Sequence, residues 1–320
     1  MPERPLVLLT NPIHADAQAL LAPHVRLLTA PDTQAATLRA LAAEADGIIV
    51  RAKLPDDIVE HAPRLRGIVR HGVGLDFIPV PAATARGIPV ANLPGSNTQA
   101  VAEYVFAALF HLRRRLAVLD GVLRTDGWNA ARGLADDLSE IGGGTLGILG
   151  LGEIGGRVAR IASHGFGMRV LGHSRSGTTL DGLVEAVERE ALFARSDAVV
   201  IACPLTDATR GLVDAQLIGR MQAHAVLLNV ARGPVVETAA LAAALHAGAI
   251  AGAAVDVFDV QPLAPDHPLL GCPTLLLTPH VAGITATSLR AMSMGSAEEM
   301  LRILRGERPL NLVNPAFAPA

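Results

Sequence analysis

The chain is poor in several features that mark whole classes of protein. Its two cysteines, Cys203 and Cys272, in 320 residues exclude a disulfide framework and suit a reducing compartment. Neither has a C-x-x-C partner, so no metal site is expected. Aromatic residues make up 3% against a hydrophobic content of 50%, so the cores must be built from Ala, Val, Leu and Ile. The formal net charge is -3 and no basic run occurs, which argues against a nucleic-acid partner. No uninterrupted apolar run approaches the roughly 20 residues of a membrane span. Residues 1–10 enter a strand pattern without a signal peptide's apolar core. The expectation is a cytoplasmic protein with no membrane partner, long enough for two domains.

The most informative stretch is 145–161. A short apolar run at 146–149 reads as a buried parallel strand, Gly150, Gly152 and Gly155 follow in G-x-G-x-x-G spacing, and a helix-forming run starts directly behind. The first glycine allows the tight turn, the second lets a pyrophosphate reach the backbone, and the third lets helix and strand pack closely. Unpaired N–H groups and the positive dipole end of the helix face the phosphates. Strand before and helix behind is the context that distinguishes this fingerprint from an ordinary glycine turn. A dinucleotide is therefore expected, with Gly150, Gly152, Glu153, Ile154 and Gly155 along its phosphates. A carboxylate for the ribose 2′-hydroxyl of NAD belongs about 20 residues on. Here the sequence reads Ser174-Arg175-Ser176, with no acid until Asp181. Hydroxyls and a guanidinium suit a 2′-phosphate, so NADP(H) is the preferred cofactor and NAD(H) the alternative.

Residues 1–98 alternate strand patterns (6–10, 25–28, 47–50, 67–71, 89–91) with helical ones (15–21, 33–43, 56–61), as in an α/β layer with a parallel sheet. Two strand ends there are polar: Arg51, and the loop 70–76 in which the amides of Val73 and Gly74 can form an anion nest. Taken alone, the loop is equally an ordinary strand-to-loop turn, and Arg51 reads better as a solvated surface residue. A helical pattern at 99–124 is apolar nearly all round in its first half, which predicts burial on several sides and makes it a candidate homodimer surface.

After the fingerprint, four consecutive strand patterns end in polar or reactive residues: Cys203, Arg232 beyond 225–230, Asp256, and His280 beyond 275–278. Carbonyl reduction by hydride needs an acid for the oxygen, a cation to polarise it and an anchor for the substrate. His280 can supply the proton. Arg232 can polarise the carbonyl and grip a carboxylate, and the Val73–Gly74 amides can hold the substrate's other end. Asp256 can accept from the nicotinamide carboxamide or shape the pocket. A single histidine among eleven is commonly structural; the shared placement at strand ends is what favours chemistry.

These motifs, in order, resemble the D-2-hydroxyacid dehydrogenase family of glyoxylate/hydroxypyruvate reductases, phosphoglycerate dehydrogenase and formate dehydrogenase. The resemblance runs through 71–76, 86–92, 97–103, the glycine loop, 203–206, 229–233, 256–258 and 278–283. It implies two doubly wound α/β domains. A flavodoxin-like substrate domain would comprise 1–98 with 286–320, and a Rossmann cofactor domain 99–285, with the active site in the cleft. It further implies that Arg232 and His280 are catalytic, and that Arg51, Val73, Gly74 and Asn97 bind substrate. Cys203, Pro204, Thr209, Val230, Ala231, Asp256 and Gly283 would line the cofactor. The implied reaction is NADP(H)-dependent reduction of a small 2-oxo acid to its D-2-hydroxy acid.

One departure stands out. The glutamate that pairs with the family's histidine falls on Gln261. A neutral amide can orient the ring but lacks the carboxylate's Coulombic support for imidazolium, so weaker proton donation above neutral pH is expected. Formate dehydrogenases carry glutamine there, which makes formate oxidation the enzymatic rival. The absence of that branch's N-terminal extension and the Ser174–Arg175 pair count against it. A corepressor-like dinucleotide-sensing module is the rival from another class; the retained Arg232 and His280 and the lack of a long tail count against that.

Overall fold

In the computed structural model, which describes residues 4–175, 177, 180 and 182–314, strands and helices alternate along most of the chain. The order is β1 (Leu6–Leu9), α1 (Ala15–Leu21), β2 (Arg26–Thr29), α2 (Ala35–Ala42), β3 (Gly47–Val50), β4 (Gly67–Arg70), α3 (Val80–Ala85) and β5 (Val90–Ala91). Three helices follow, α4 (Thr98–Arg114), α5 (Leu116–Thr125) and α6 (Trp128–Gly133). Then come β6 (Thr145–Leu149), α7 (Glu153–Phe166), β7 (Arg169–His173), β8 (Glu185–Ala186), α8 (Arg189–Arg195), β9 (Ala198–Ile201), α9 (Ala215–Ile218) and β10 (Val226–Asn229). The last elements are α10 (Thr238–His246), β11 (Gly252–Val255), β12 (Leu275–Leu277) and α11 (Ala286–Leu304).

The chain divides into two compact units, Met1–Asn97 with Ile284–Ala320, and Thr98–Gly283. The first holds a parallel sheet in the order β2-β1-β3-β4-β5, the doubly wound flavodoxin-like order. Its inner strands are continuous apolar runs, Leu-Val-Leu-Leu in β1 and Gly-Ile-Ile-Val in β3, buried at every position because helices cover both faces. Helix α11 returns to this unit. Its start is fixed by a reciprocal cap: Ser288 N donates to Thr285 Oγ1 (3.0 Å) and Thr285 N to Ser288 Oγ (2.8 Å). It lies so close to the sheet that a Cβ on Gly47 would stand 2.4 Å from Met300 sulfur, and one on Gly67 2.4 Å from Ile303 Cγ2.

The second unit has a seven-stranded parallel sheet in the order β12-β11-β10-β9-β6-β7-β8. The order reverses between β9 and β6, the switch point where open α/β sheets leave a crevice at their carboxyl edge. Two hydrophobic clusters pack its faces; Phe193 and Leu227 belong to one and Val105, Leu109, Ile148 and Leu228 to the other.

Two local expectations need correction, and one strand was not expected. Residues 56–61 are not a helix but successive tight turns, with Ile58 N bonding Pro55 O and His61 N bonding Ile58 O, and Pro63 behind them restricts residue 62. The pattern at 99–124 is two helices, because Arg115 adopts a left-handed conformation (φ 46°, ψ 37°) that α-helix geometry cannot continue through. The two-residue edge strand β8 carries no apolar pattern, only exposed Glu185 and Ala186, so nothing in the sequence announced it.

Candidate active site

The glycine loop sits between β6 and α7 as its spacing requires. Gly150 has φ +104°, and a Cβ there would lie 2.6 Å from Cys203 N, so the loop's contact with the end of β9 leaves no room for a side chain. A Cβ on Gly155 would lie 2.0 Å from the Gly150 carbonyl oxygen, which is how closely α7 returns to the turn. Gly152 differs. It is the N-cap of α7, no side chain caps it, and a Cβ there would meet nothing within 4 Å. Open space before an uncapped 14-residue helix is what a pyrophosphate needs, so the residues fit a dinucleotide. Glu153 is exposed and Ile154 half-buried in the first helical turn.

Strand β7 lies beside β6, with His173 paired to Leu149 and its carbonyl accepting from Gly150 N (2.9 Å). Ser174 and Arg175 leave β7 next to the glycine turn, Ser174 half-buried and Arg175 exposed. The third member of that trio, Ser176, lies outside the described residues. On the other side of β6, Cys203 ends β9 as a buried free thiol whose pKa burial pushes up to about 11. It is therefore a packing residue, not a nucleophile. The loop behind it is tied by Thr209, whose hydroxyl donates to Pro204 O (2.7 Å) and accepts from Thr206 N (2.7 Å). Val230 and Ala231 are buried beyond β10.

Arg232, Asp256 and His280 follow the adjacent strands β10, β11 and β12, which are spaced ~4.8 Å apart. Asn229 shapes the first of these ends: its Nδ2 donates to Arg232 O (3.1 Å) and its Oδ1 accepts from Ala231 N (3.1 Å). Gly233 is forced, since a Cβ would lie 2.1 Å from the Phe258 carbonyl carbon. Asp256, 1% exposed, is engaged by its own surroundings. It accepts from Thr278 Oγ1 (2.7 Å), Val281 N (2.8 Å) and Ala282 N (2.9 Å). Of the two roles open to it from sequence, these contacts are those of a residue that shapes the loop carrying His280 and leading to Gly283.

His280 has φ 57°, and its Nδ1 lies 3.0 Å from Gln261 Oε1. The amide's orientation is set by its other end, where Nε2 donates to Phe258 O (3.4 Å). Gln261 therefore presents its oxygen as the acceptor for a proton on His280 Nδ1.

The remaining candidates belong to the first unit. Arg51 follows β3; its N donates to Thr10 Oγ1 (2.8 Å), its guanidinium donates to Pro12 O, and burial lowers its pKa. In the loop after β4, Arg70 donates to Gly74 O (3.0 Å) and Asn92 Nδ2 to Val73 O (2.8 Å). With both carbonyls engaged, the Val73 and Gly74 amides take no acceptor among the described residues, an arrangement suited to a carboxylate. The Oδ1 of Asn97 is buried and accepts no hydrogen bond among the described residues. His71 is bound to Ser293 Oγ (2.8 Å) at 4% exposure. Sequence reasoning passed over Arg70 and Asn92, which organise this loop, and over Tyr104, whose hydroxyl reaches Thr278 Oγ1 at 2.6 Å. Tyr104 is the chain's only tyrosine, and a polar tip within an apolar helix was the available signal.

The chain is similar to known proteins over nearly its whole length. Residues 106–282 match the family described as D-isomer specific 2-hydroxyacid dehydrogenase, NAD binding domain. The chain is 38% identical to glyoxylate reductase of Aeropyrum pernix, over 98% of this chain and 96% of that one. The solved NADPH-dependent glyoxylate/hydroxypyruvate reductase of Sinorhizobium meliloti, in complex with NADP and malonate, superposes with a TM-score of 0.87 at 31% identity, covering 99% of this chain and 98% of that one. NAD-dependent formate dehydrogenase from Staphylococcus aureus, in complex with NAD, gives 0.84 at 27% identity, covering 96% and 98%. The chain belongs to the D-isomer-specific 2-hydroxyacid dehydrogenase family and is a nicotinamide-dinucleotide-dependent oxidoreductase.

Proposed function

We propose that the protein reduces a small 2-oxo acid of the glyoxylate or hydroxypyruvate type to its D-2-hydroxy acid, with NADPH as reductant. The bound dinucleotide supplies the hydride that reaches C2. Arg232 orients the substrate and polarises its 2-oxo group. His280, entering as imidazolium with a proton on each ring nitrogen, delivers the Nε2 proton to the oxygen as it becomes an alkoxide and is left neutral with its proton on Nδ1. Gln261 holds the ring by Nδ1, and the amides of Val73 and Gly74, with Arg51 and Asn97, bind the substrate's carboxylate end. The glycine loop with Glu153 and Ile154 holds the pyrophosphate, and Ser174 and Arg175 recognise the 2′-phosphate. The single observation carrying the reading is the 3.0 Å contact between His280 and Gln261, two strands from Arg232 on one sheet edge beside the glycine turn.

The second unit also carries an apolar surface on α5 and α6. Leu116 is 60% exposed and Trp128 71%, and Leu123 stands out with them; α5 buries none of its residues. A second copy of the chain, giving a homodimer, is the proposed cover.

One second reading has a specific observation in its favour. A neutral glutamine beside the histidine suits formate oxidation, which transfers a hydride with no proton exchange at substrate oxygen. The deciding assay follows NADPH consumption with glyoxylate, hydroxypyruvate and phenylpyruvate beside NAD(P)+ reduction with formate. Turnover of 2-oxo acids is expected. Turnover of formate alone sinks the reductase reading, and tight cofactor binding without turnover sinks both.

A further inference from the structure

Beyond the residues expected to meet substrate or cofactor, a hydrogen-bond chain within the second unit ends on the loop that carries His280. We propose that Tyr104 and Thr278 are positioning residues that hold His280 through Asp256; the proposal rests on His280 being the proton donor.

The chain's direction follows from the inventory of donors. The Asp256 side chain, at 1% exposure, accepts hydrogen bonds on both of its oxygens, and the Thr278 hydroxyl spends its one proton on Oδ1 at 2.7 Å. The 2.6 Å contact between Tyr104 Oη and Thr278 Oγ1 must then be donated by the phenol. Burial raises the Tyr104 pKa, which keeps that proton in place. Tyr104 donates to Thr278, Thr278 to Asp256, and the same carboxylate takes Val281 N (2.8 Å) and Ala282 N (2.9 Å). His280 lies between these anchored residues.

The loop needs such anchoring. His280 has φ 57°, a conformation L residues avoid, and its own N donates to Asp256 O (2.8 Å). Bonds on both sides of the residue overdetermine a backbone that would otherwise relax, and relaxation would swing the imidazole away from Gln261 and from substrate. Tyr104 matters because, with its proton in one lone pair of the Thr278 oxygen, the threonine proton has one favourable direction, toward Asp256. Tyr104 and Thr278 are 174 residues apart, on α4 and just beyond β12, so the chain ties a packed helix to the catalytic loop.

The test uses the full-length protein, NADPH, and the 2-oxo acid turned over fastest in the screen above. Tyr104→Phe should lower kcat about three- to tenfold, the worth of one neutral hydrogen bond. Thr278→Val, which leaves a buried carboxylate one donor short, should lower it about ten- to a hundredfold, and Thr278→Ser should restore it to within about twofold. KM and the NADPH Kd should stay near wild type in all three. Because the two hydroxyls act in series, Tyr104→Phe added to Thr278→Val should cost nothing further. His280→Ala is the reference variant. If His280→Ala loses activity but Tyr104→Phe and Thr278→Val do not, or if their losses multiply independently or fall on NADPH affinity, the positioning role is overturned and the catalytic reading stands. If His280→Ala stays active, or the wild type turns over none of the 2-oxo acids, both are overturned.

Discussion

Two alanine substitutions three residues apart should fail in opposite ways, and the contrast tests whether the glycine loop is a ligand cradle. At Gly155 an added Cβ would lie 2.0 Å from the Gly150 carbonyl oxygen, a backbone atom that moves only if the whole turn moves. Forcing a methyl into such packing costs about 1–3 kcal/mol. At about 2–4 °C per kcal/mol for a unit of this size, Tm should fall by roughly 2–12 °C. At Gly152 the backbone (φ -76°, ψ -161°) suits alanine, and the methyl would meet nothing within 4 Å. Gly152→Ala should therefore leave Tm unchanged, or raise it slightly by restricting the unfolded chain. The methyl does occupy the approach to the α7 N-terminus, so the NADPH Kd should rise tenfold or more, about 1.4 kcal/mol. Thermal unfolding of the apo protein beside fluorescence titration with NADPH reads both effects. A Gly152→Ala protein that melts early but binds NADPH normally would refute the assignment of that open space to a pyrophosphate.

Gln261→Glu adds a charge beside His280 and should carry the alkaline limb of kcat/KM for reduction upward by about one pH unit; superimposable profiles would show that the position does not tune the histidine. Ser174→Asp should shift the NADPH-to-NADH ratio of kcat/KM at least about tenfold toward NADH, and an unchanged ratio would remove that residue from 2′-phosphate recognition. Burial, with the charges of Arg51 and then Arg70, holds the His71 pKa down from 6.5 to about 4. On acidification the unfolded chain binds this proton first. The associated stability is therefore complete above pH 6.5 and lost as pH falls toward 4, by about 3 kcal/mol at most. His71→Gln should flatten urea stability measured across that window, and an equally steep loss in the variant would contradict this. Light scattering should give a dimer for the wild type and a smaller species for Leu123→Glu with Trp128→Glu; a monomeric wild type would leave the α5–α6 surface without its proposed cover.

Much of the architecture was legible because its physics is local. Buried parallel strands must be continuous apolar runs, and β1, β3, β9 and β11 are. The glycine fingerprint is equally local, since turn, approach and packing all fall within six residues. Features set by tertiary contact were not legible. Arg115 breaks a helix without being a helix breaker, and no residue pattern marks a non-glycine left-handed turn. Asp256 could be assigned to the edge of the sheet, but its choice between ligand and loop depends on Thr278, Val281 and Ala282 closing round it. The link from Tyr104 to Thr278 spans 174 residues and exists only once α4 packs on the sheet.

The central claim, hydride delivery to a 2-oxo acid with His280 as proton donor, is tested most directly by isotope transfer. NADPH carrying deuterium on the transferring face of C4 is incubated with glyoxylate or hydroxypyruvate, and the product is analysed by mass spectrometry. The account predicts one deuterium at C2 of the hydroxy acid, formed by the wild type and almost abolished in His280→Ala. Product without deuterium at C2, or an undiminished rate in His280→Ala, would contradict it.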